Sequence, residues 1–208
     1  MKNIAVLVSG GGTNLQALID AQNDGTIKSG KITCVISSNP DAYALERARN
    51  NNIDTAVIRR KDFETFLEYD LALTELLKSK CADLVVLAGF MTILGHQVIS
   101  EFENRMINIH PALIPSFCGE GYYGLKVHKA VLEKGVKLSG ATTHFVTEEC
   151  DAGPIIMQRA VEVHNDDTPE TLQRRIMENV EWKILPISVE LFCSDKIKVK
   201  DNKTYIID

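Results

Sequence analysis

An α/β fold, with a mostly parallel, doubly wound (Rossmann-like) sheet and an antiparallel C-terminal extension, is the architecture to which three features of this chain point. Apolar runs alternate with helical patterns through the first half, the signature of successive βαβ units. Runs such as Ile4-Ala5-Val6-Leu7-Val8 and Leu84-Val85-Val86-Leu87 are nearly unbroken, as in strands covered on both faces. The chain's 208 residues and 45% apolar content suit one α/β domain, 1–208.

Taken in order, the predicted strands are Ile4–Val8, Ile32–Ile36, Thr55–Ile58, Leu84–Ala88 and Met106–Ile109. Helical patterns fall near Asn14–Gln22, Ala42–Asn50, Phe63–Lys80 and His96–Glu101. Ligands of such sheets bind beyond the carboxyl ends of the strands. The loop after the first strand and the end of the fifth therefore open on the same side. Residues 111–124 hold two prolines, three glycines and two tyrosines, which predicts a long irregular loop. Within it, Cys118–Gly124 is expected to be a mobile flap. A helix near Leu125–Glu133 precedes an antiparallel pair, Ser139–Val146 and Ile155–Val163, joined by a turn at Asp151. Thr168-Pro169 is a helix-start signal, a capping residue before proline. Leu172, Ile176, Val180 and Ile184 then keep helical spacing, and Pro186 is expected to kink or end that helix. Ile197–Val199 and Tyr205–Ile207 predict a terminal hairpin.

Composition narrows the function. A net charge of −5 with no basic run excludes a nucleic-acid footprint. No stretch approaches the roughly 20 apolar residues of a spanning helix, and the run Ile4–Val8 is too short for the apolar region of a signal peptide, so a soluble cytoplasmic protein without membrane partners is expected. Five dispersed cysteines without a Cys-x-x-Cys pair suit a reducing compartment. The histidines lack zinc-ligand spacing, and no metal is assigned.

Two motifs carry chemistry. Ser9-Gly10-Gly11-Gly12-Thr13-Asn14 links the first strand to a helix, where glycines let backbone N–H groups close on an anion. It is not a Walker A loop, since no Gly-Lys-Ser/Thr follows. Leu15 stands where a dinucleotide fingerprint needs its third glycine, and the second strand ends in Ser37-Ser38-Asn39 without an acid to grip a ribose. A phosphate monoester therefore fits better than a nicotinamide cofactor; a tight turn without a ligand is the plain alternative. The second motif is Asn108-Ile109-His110-Pro111. Along a strand, Asn108 and His110 point to one face, setting an amide donor beside an imidazole. Asp151, in a turn-rich segment, could bring a carboxylate to that imidazole. Oxyanion donor, acid/base group and carboxylate are the parts of an acyl-transfer site. A lone Asn-x-His at a strand end is more often structural, and the accompanying residues are what favour catalysis.

Over nearly its whole length the chain resembles the phosphoribosylglycinamide formyltransferase family, folate-dependent one-carbon transferases. The likeness rests on Ser9–Gln16, Leu45-Glu46-Arg47-Ala48, Ala88-Gly89-Phe90-Met91, Asn108-Ile109-His110-Pro111, Gly140–Val146 and Asp151-Ala152-Gly153-Pro154. It implies transfer of a formyl group from 10-formyltetrahydrofolate to the amine of glycinamide ribonucleotide, with no metal and no nicotinamide. It implies that Gly12, Thr13 and Asn14 hold the substrate phosphate and that Glu181 binds the ribose. Met91, Thr92, Ile93 and Leu94, with the segment Thr147–Asp151, shape the folate pocket, to which Asn108 and Asp151 also contribute. Asn108, His110 and Asp151 are implied to be catalytic, with protonated His110 and Asn108 donating to the oxyanion. His144 falls in a family motif as a supporting group. On this view residues 1–110 form a phosphate-binding half and 111–208 a folate and catalytic-loop half.

Thr92 and Phe66 stand where many relatives carry basic residues, which puts contacts to the folate glutamate tail in doubt. The rival reading among enzymes is a formyltetrahydrofolate deformylase, in which water replaces the amine. A formyltransferase acting on initiator tRNA would need an added basic domain. A non-catalytic nucleotide sensor would have no use for Asn108, His110 and Asp151. Monomer and homodimer both stay open.

Overall fold

The computed structural model describes residues 1–207. A seven-stranded sheet has the order β3-β2-β1-β4-β5-β6-β7, with strands β1 (Lys2–Val8), β2 (Gly30–Ser37), β3 (Asp54–Val57), β4 (Leu84–Leu87), β5 (Met106–His110), β6 (Leu138–Phe145) and β7 (Ile155–Glu162). The first five strands pair in parallel, while β6 and β7 join antiparallel. Strand order reverses between β1 and β4, so a crevice opens there beyond the carboxyl ends.

The unbroken apolar runs have the expected cause. Ile4, Val6 and Val8 of β1 enter one core with Leu84 and Val86 of β4. Ala5 and Leu7 enter a second core on the opposite face with Val85 and Leu87. Helices α1 (Thr13–Asn23) and α2 (Tyr43–Asn50) cover the first face through Leu15, Leu18, Leu45 and Ala48. Helices α3 (Phe66–Ser79) and α4 (His96–Glu101) cover the second through Tyr69, Leu73, Leu77 and Val98. Periodicity starts the third helix at Phe63; the structure starts it at Phe66. A 3-10 turn at Arg60–Asp62 comes first, and Thr65 with Glu68 forms a capping box that sets the true start.

Helix α5 (Leu125–Lys134) follows the long loop. Beyond it, α6 (Pro169–Ile176) is capped by Thr168 and is continued by a π turn, Met177–Glu181, and by α7 (Trp182–Cys193). Pro186 does not end this helix. The break in regular hydrogen bonding lies one turn earlier, at the π turn, and Pro186 is buried inside α7. The terminal hairpin is β8 (Ile197–Lys200) with β9 (Lys203–Ile206), a separate two-stranded sheet. Thr204 Oγ1 ties it to the main sheet by donating to the Ile155 carbonyl at 2.6 Å. Among the described residues no helix is long and apolar enough to cross a membrane.

Candidate active site

β5 presents Asn108 and His110 on one face, and β6 lies antiparallel beside it with Asn108 opposite His144 and His110 opposite Thr142. The turn after β6 brings Asp151 back over these residues. Asp151 has φ of 56°, the left-handed region, and its side chain is almost fully buried. Gly153 must stay small in this turn, since a Cβ there would lie 1.9 Å from the Phe145 carbonyl oxygen.

Of the three expected catalytic side chains, His110 and Asp151 face each other directly, and Asn108 joins them through His144. His110 Nδ1 lies 3.5 Å from Asp151 Oδ2, and His144 Nε2 lies 3.5 Å from Asp151 Oδ1. His110 Nε2 donates to the Phe117 carbonyl at 2.9 Å, and the Gly119 N–H donates to Asp151 Oδ2 at 2.9 Å. The start of the expected flap is thus tied to both members of the pair. His144 Nδ1 donates to the Phe145 carbonyl at 2.9 Å, which leaves Nε2 facing the Asn108 amide nitrogen at 3.1 Å. Nε2 accepts from that amide when the ring is neutral and donates to Asp151 when it is charged.

Electrostatics divide the roles. Burial by itself raises the Asp151 carboxyl, but His144, His110 and the Gly119 N–H outweigh it, and the net direction is down. Asp151 is ionised at neutral pH. Burial lowers His110 below its ordinary 6.5, partly offset by Asp151 and the Phe117 carbonyl. Oxygens facing both ring nitrogens suit the imidazolium, while the dry surroundings oppose it. The ring therefore rests neutral and is poised to take up a proton.

His128 on α5 is a third buried imidazole, after His110 and His144. It is fully buried and neither ring nitrogen has a partner among the described residues. Burial, then the His110 charge, pushes its pKa down to about 4. The unfolded chain thus binds this proton at a pH where the folded one does not. Stability from this group is complete above pH 6.5 and is lost as pH falls toward 4. The cost over that interval is about 3 kcal/mol. His128→Leu is expected to flatten this limb, measured by urea unfolding at pH 7 and pH 4.5.

At the other end of the crevice, Gly12 takes a left-handed φ of 73° and leads into α1 without a side-chain cap. The first amides of α1 are thus unoccupied, and no acid sits in its first turn. Arg47, a residue whose role spacing gave no way to assign, braces the loop by donating to the Gly11 carbonyl at 2.9 Å and to Gln16 Oε1 at 3.0 Å. Asn14 Nδ2 donates to Glu181 Oε2 at 2.7 Å, so two expected substrate residues from opposite ends of the chain touch. Glu181 is buried within the π turn, and burial pushes its carboxyl up to about 7 against the Asn14 hydrogen bond. Asn14 Oδ1 is buried with no partner among the described residues.

Between the two ends, Met91 and Ile93 are exposed, Thr92 and Leu94 half-buried, all in irregular backbone after β4. Phe66 and Thr92 leave no basic side chain at either position.

The family model for formyl transferases matches residues 2–189. A phosphoribosylglycinamide formyltransferase from Haemophilus influenzae is 42% identical over 206 residues, 99% of this chain and 94% of that protein. The crystal structure of glycinamide ribonucleotide transformylase 1 from Symbiobacterium toebii superimposes with a TM-score of 0.94 at 41% identity, covering 100% of this chain and 95% of that one. A formyltetrahydrofolate deformylase from Pseudomonas syringae superimposes with a TM-score of 0.87 at 32% identity, but this chain spans only 66% of it. With the family model matching most of the chain and the Haemophilus influenzae relative alike over nearly its whole length, the chain belongs to the formyl transferase family.

Proposed function

We propose that this protein transfers the formyl group of 10-formyltetrahydrofolate to the amine of N1-(5-phospho-D-ribosyl)glycinamide, giving the N2-formyl product and tetrahydrofolate in purine (IMP) biosynthesis. The observation that carries the reading is the approach of His110 to Asp151, with Asn108 linked to them through His144, at the carboxyl ends of the strands where the glycine loop also lies. The phosphate would sit on the α1 amides beside Gly12, Thr13 and Asn14. Glu181 and the unpartnered Asn14 Oδ1 would accept from the ribose hydroxyls. The folate would lie along Met91–Leu94 and the Asp151 turn.

For His110 to reach the amine, its Nε2 contact with the Phe117 carbonyl or its Nδ1 approach to Asp151 must open first. The substrate amine attacks the formyl carbon, a C–N bond forms and the carbonyl oxygen becomes anionic. An Asn108 amide proton stabilises that oxygen. Neutral His110 takes the amine proton, and Asp151 stabilises the imidazolium it becomes. Collapse breaks the bond to the folate nitrogen, which leaves with the proton returned from His110.

The Asn14–Glu181 contact favours transfer over formate release, because a deformylase has no phosphoribosyl group to hold. Purified protein with both substrates should form tetrahydrofolate only when the amine is present. Equal turnover without the amine would support the deformylase reading instead. Ribose hydroxyls donate best to an ionised carboxylate, so KM for the ribonucleotide should fall as pH rises through about 7. Glu181→Gln should erase that dependence and raise KM about tenfold.

A further inference from the structure

Within the formyl-donor wall, Met91–Leu94, Met91 is 54% and Ile93 75% exposed, while Leu94 packs against the second core. The wall's backbone is held from outside at both ends. Near β4, the Met91 N–H donates to Ser9 Oγ at 2.8 Å, and Ser9 in turn shares a hydrogen bond with Ser38 at 2.7 Å. At the other end, the Gly95 N–H donates to Asp70 Oδ1 at 3.0 Å and the Gln97 N–H to Asp70 Oδ2 at 2.7 Å. Asp70 lies on α3, is 2% exposed, and serves as a cap for α4 from another helix. The approach is close enough that a Cβ on Gly95 would fall 2.3 Å from Asp70 Oδ2.

We propose that Asp70 is a positioning residue for the formyl donor: its carboxylate, with Ser9 at the opposite end, suspends the 91–95 wall at the height the folate requires. The inference rests on the folate reading above. Because Met91 and Ile93 are held by their backbone rather than by packing, loss of one anchor shifts this stretch without opening either core. The amine substrate is held by Gly12, Thr13, Asn14 and Glu181, at the end of the wall away from Asp70, where the Ser9 anchor stays in place.

Asp70→Asn keeps the shape but replaces one acceptor oxygen with a donor that opposes a backbone N–H. KM for 10-formyltetrahydrofolate should rise about tenfold, while kcat and the ribonucleotide KM stay within about twofold. Gly95→Ala, whose φ of −97° is open to alanine, tests the same anchor from its other side and should give the same split. A purely structural Asp70 would instead lower kcat and raise both KM values in step, or leave the donor KM unmoved; either result overturns the proposal. Wild-type protein without formyl transfer would overturn the underlying function, a failure visible before any variant is made.

Discussion

His110→Ala should lower kcat by about 10²–10³, and Asp151→Asn by a similar factor, with the fold intact. Loss of a group that stabilises charge in an acyl-transfer transition state has this magnitude. The two reach it differently. Without His110 no side chain takes the amine proton. Without the Asp151 charge, the imidazolium formed in that step is buried and uncompensated. The variants are therefore not additive: the double substitution should cost little more than the worse single one. Because burial lowers His110, the acid limb of kcat/KM should lie below pH 6.5. In Asp151→Asn it should move lower still. Stopped assays across pH 5–8, with circular dichroism to monitor folding, test all of this. Wild-type turnover in both single variants sinks the assignment.

Gly12→Ala should raise KM for the ribonucleotide at least tenfold. Two causes act together. A left-handed backbone at φ of 73° costs an alanine about 1–2 kcal/mol. The new Cβ would also lie 2.6 Å from Ala44 Cβ and 2.9 Å from Ala44 Cα. The loop must move away from α2, and the α1 amides turn from the phosphate. Adding Ala44→Gly removes the first collision but neither the second nor the backbone strain, so the double variant should recover only part of the loss. Complete recovery would show that crowding alone shapes the loop. No change in the single variant would show that the phosphate lies elsewhere.

Much of this was legible in the residues. Strand positions agreed within one or two residues, because runs buried on both faces have no polar break to blur them. Asn108 and His110 could be paired from alternation alone, and the glycine loop could be separated from a dinucleotide site by Leu15 and the missing acid. Helix starts were harder: Thr65 with Glu68, rather than apolar spacing, sets the beginning of α3. Pro186 does not end its helix, which runs on to Cys193 after the π turn at Met177–Glu181.

Local physics, then, reaches as far as neighbours along the chain reach: apolar period, turn chemistry and caps fixed the layers and the edge where ligands enter. Packing alone brought Asp151 over His110, set Glu181 against Asn14, turned His144 toward the Asn108 amide and sent Asp70 to brace another helix. Each of those contacts joins residues on different elements, and their distance depends on how helices and strands stack, a quantity that no periodicity encodes.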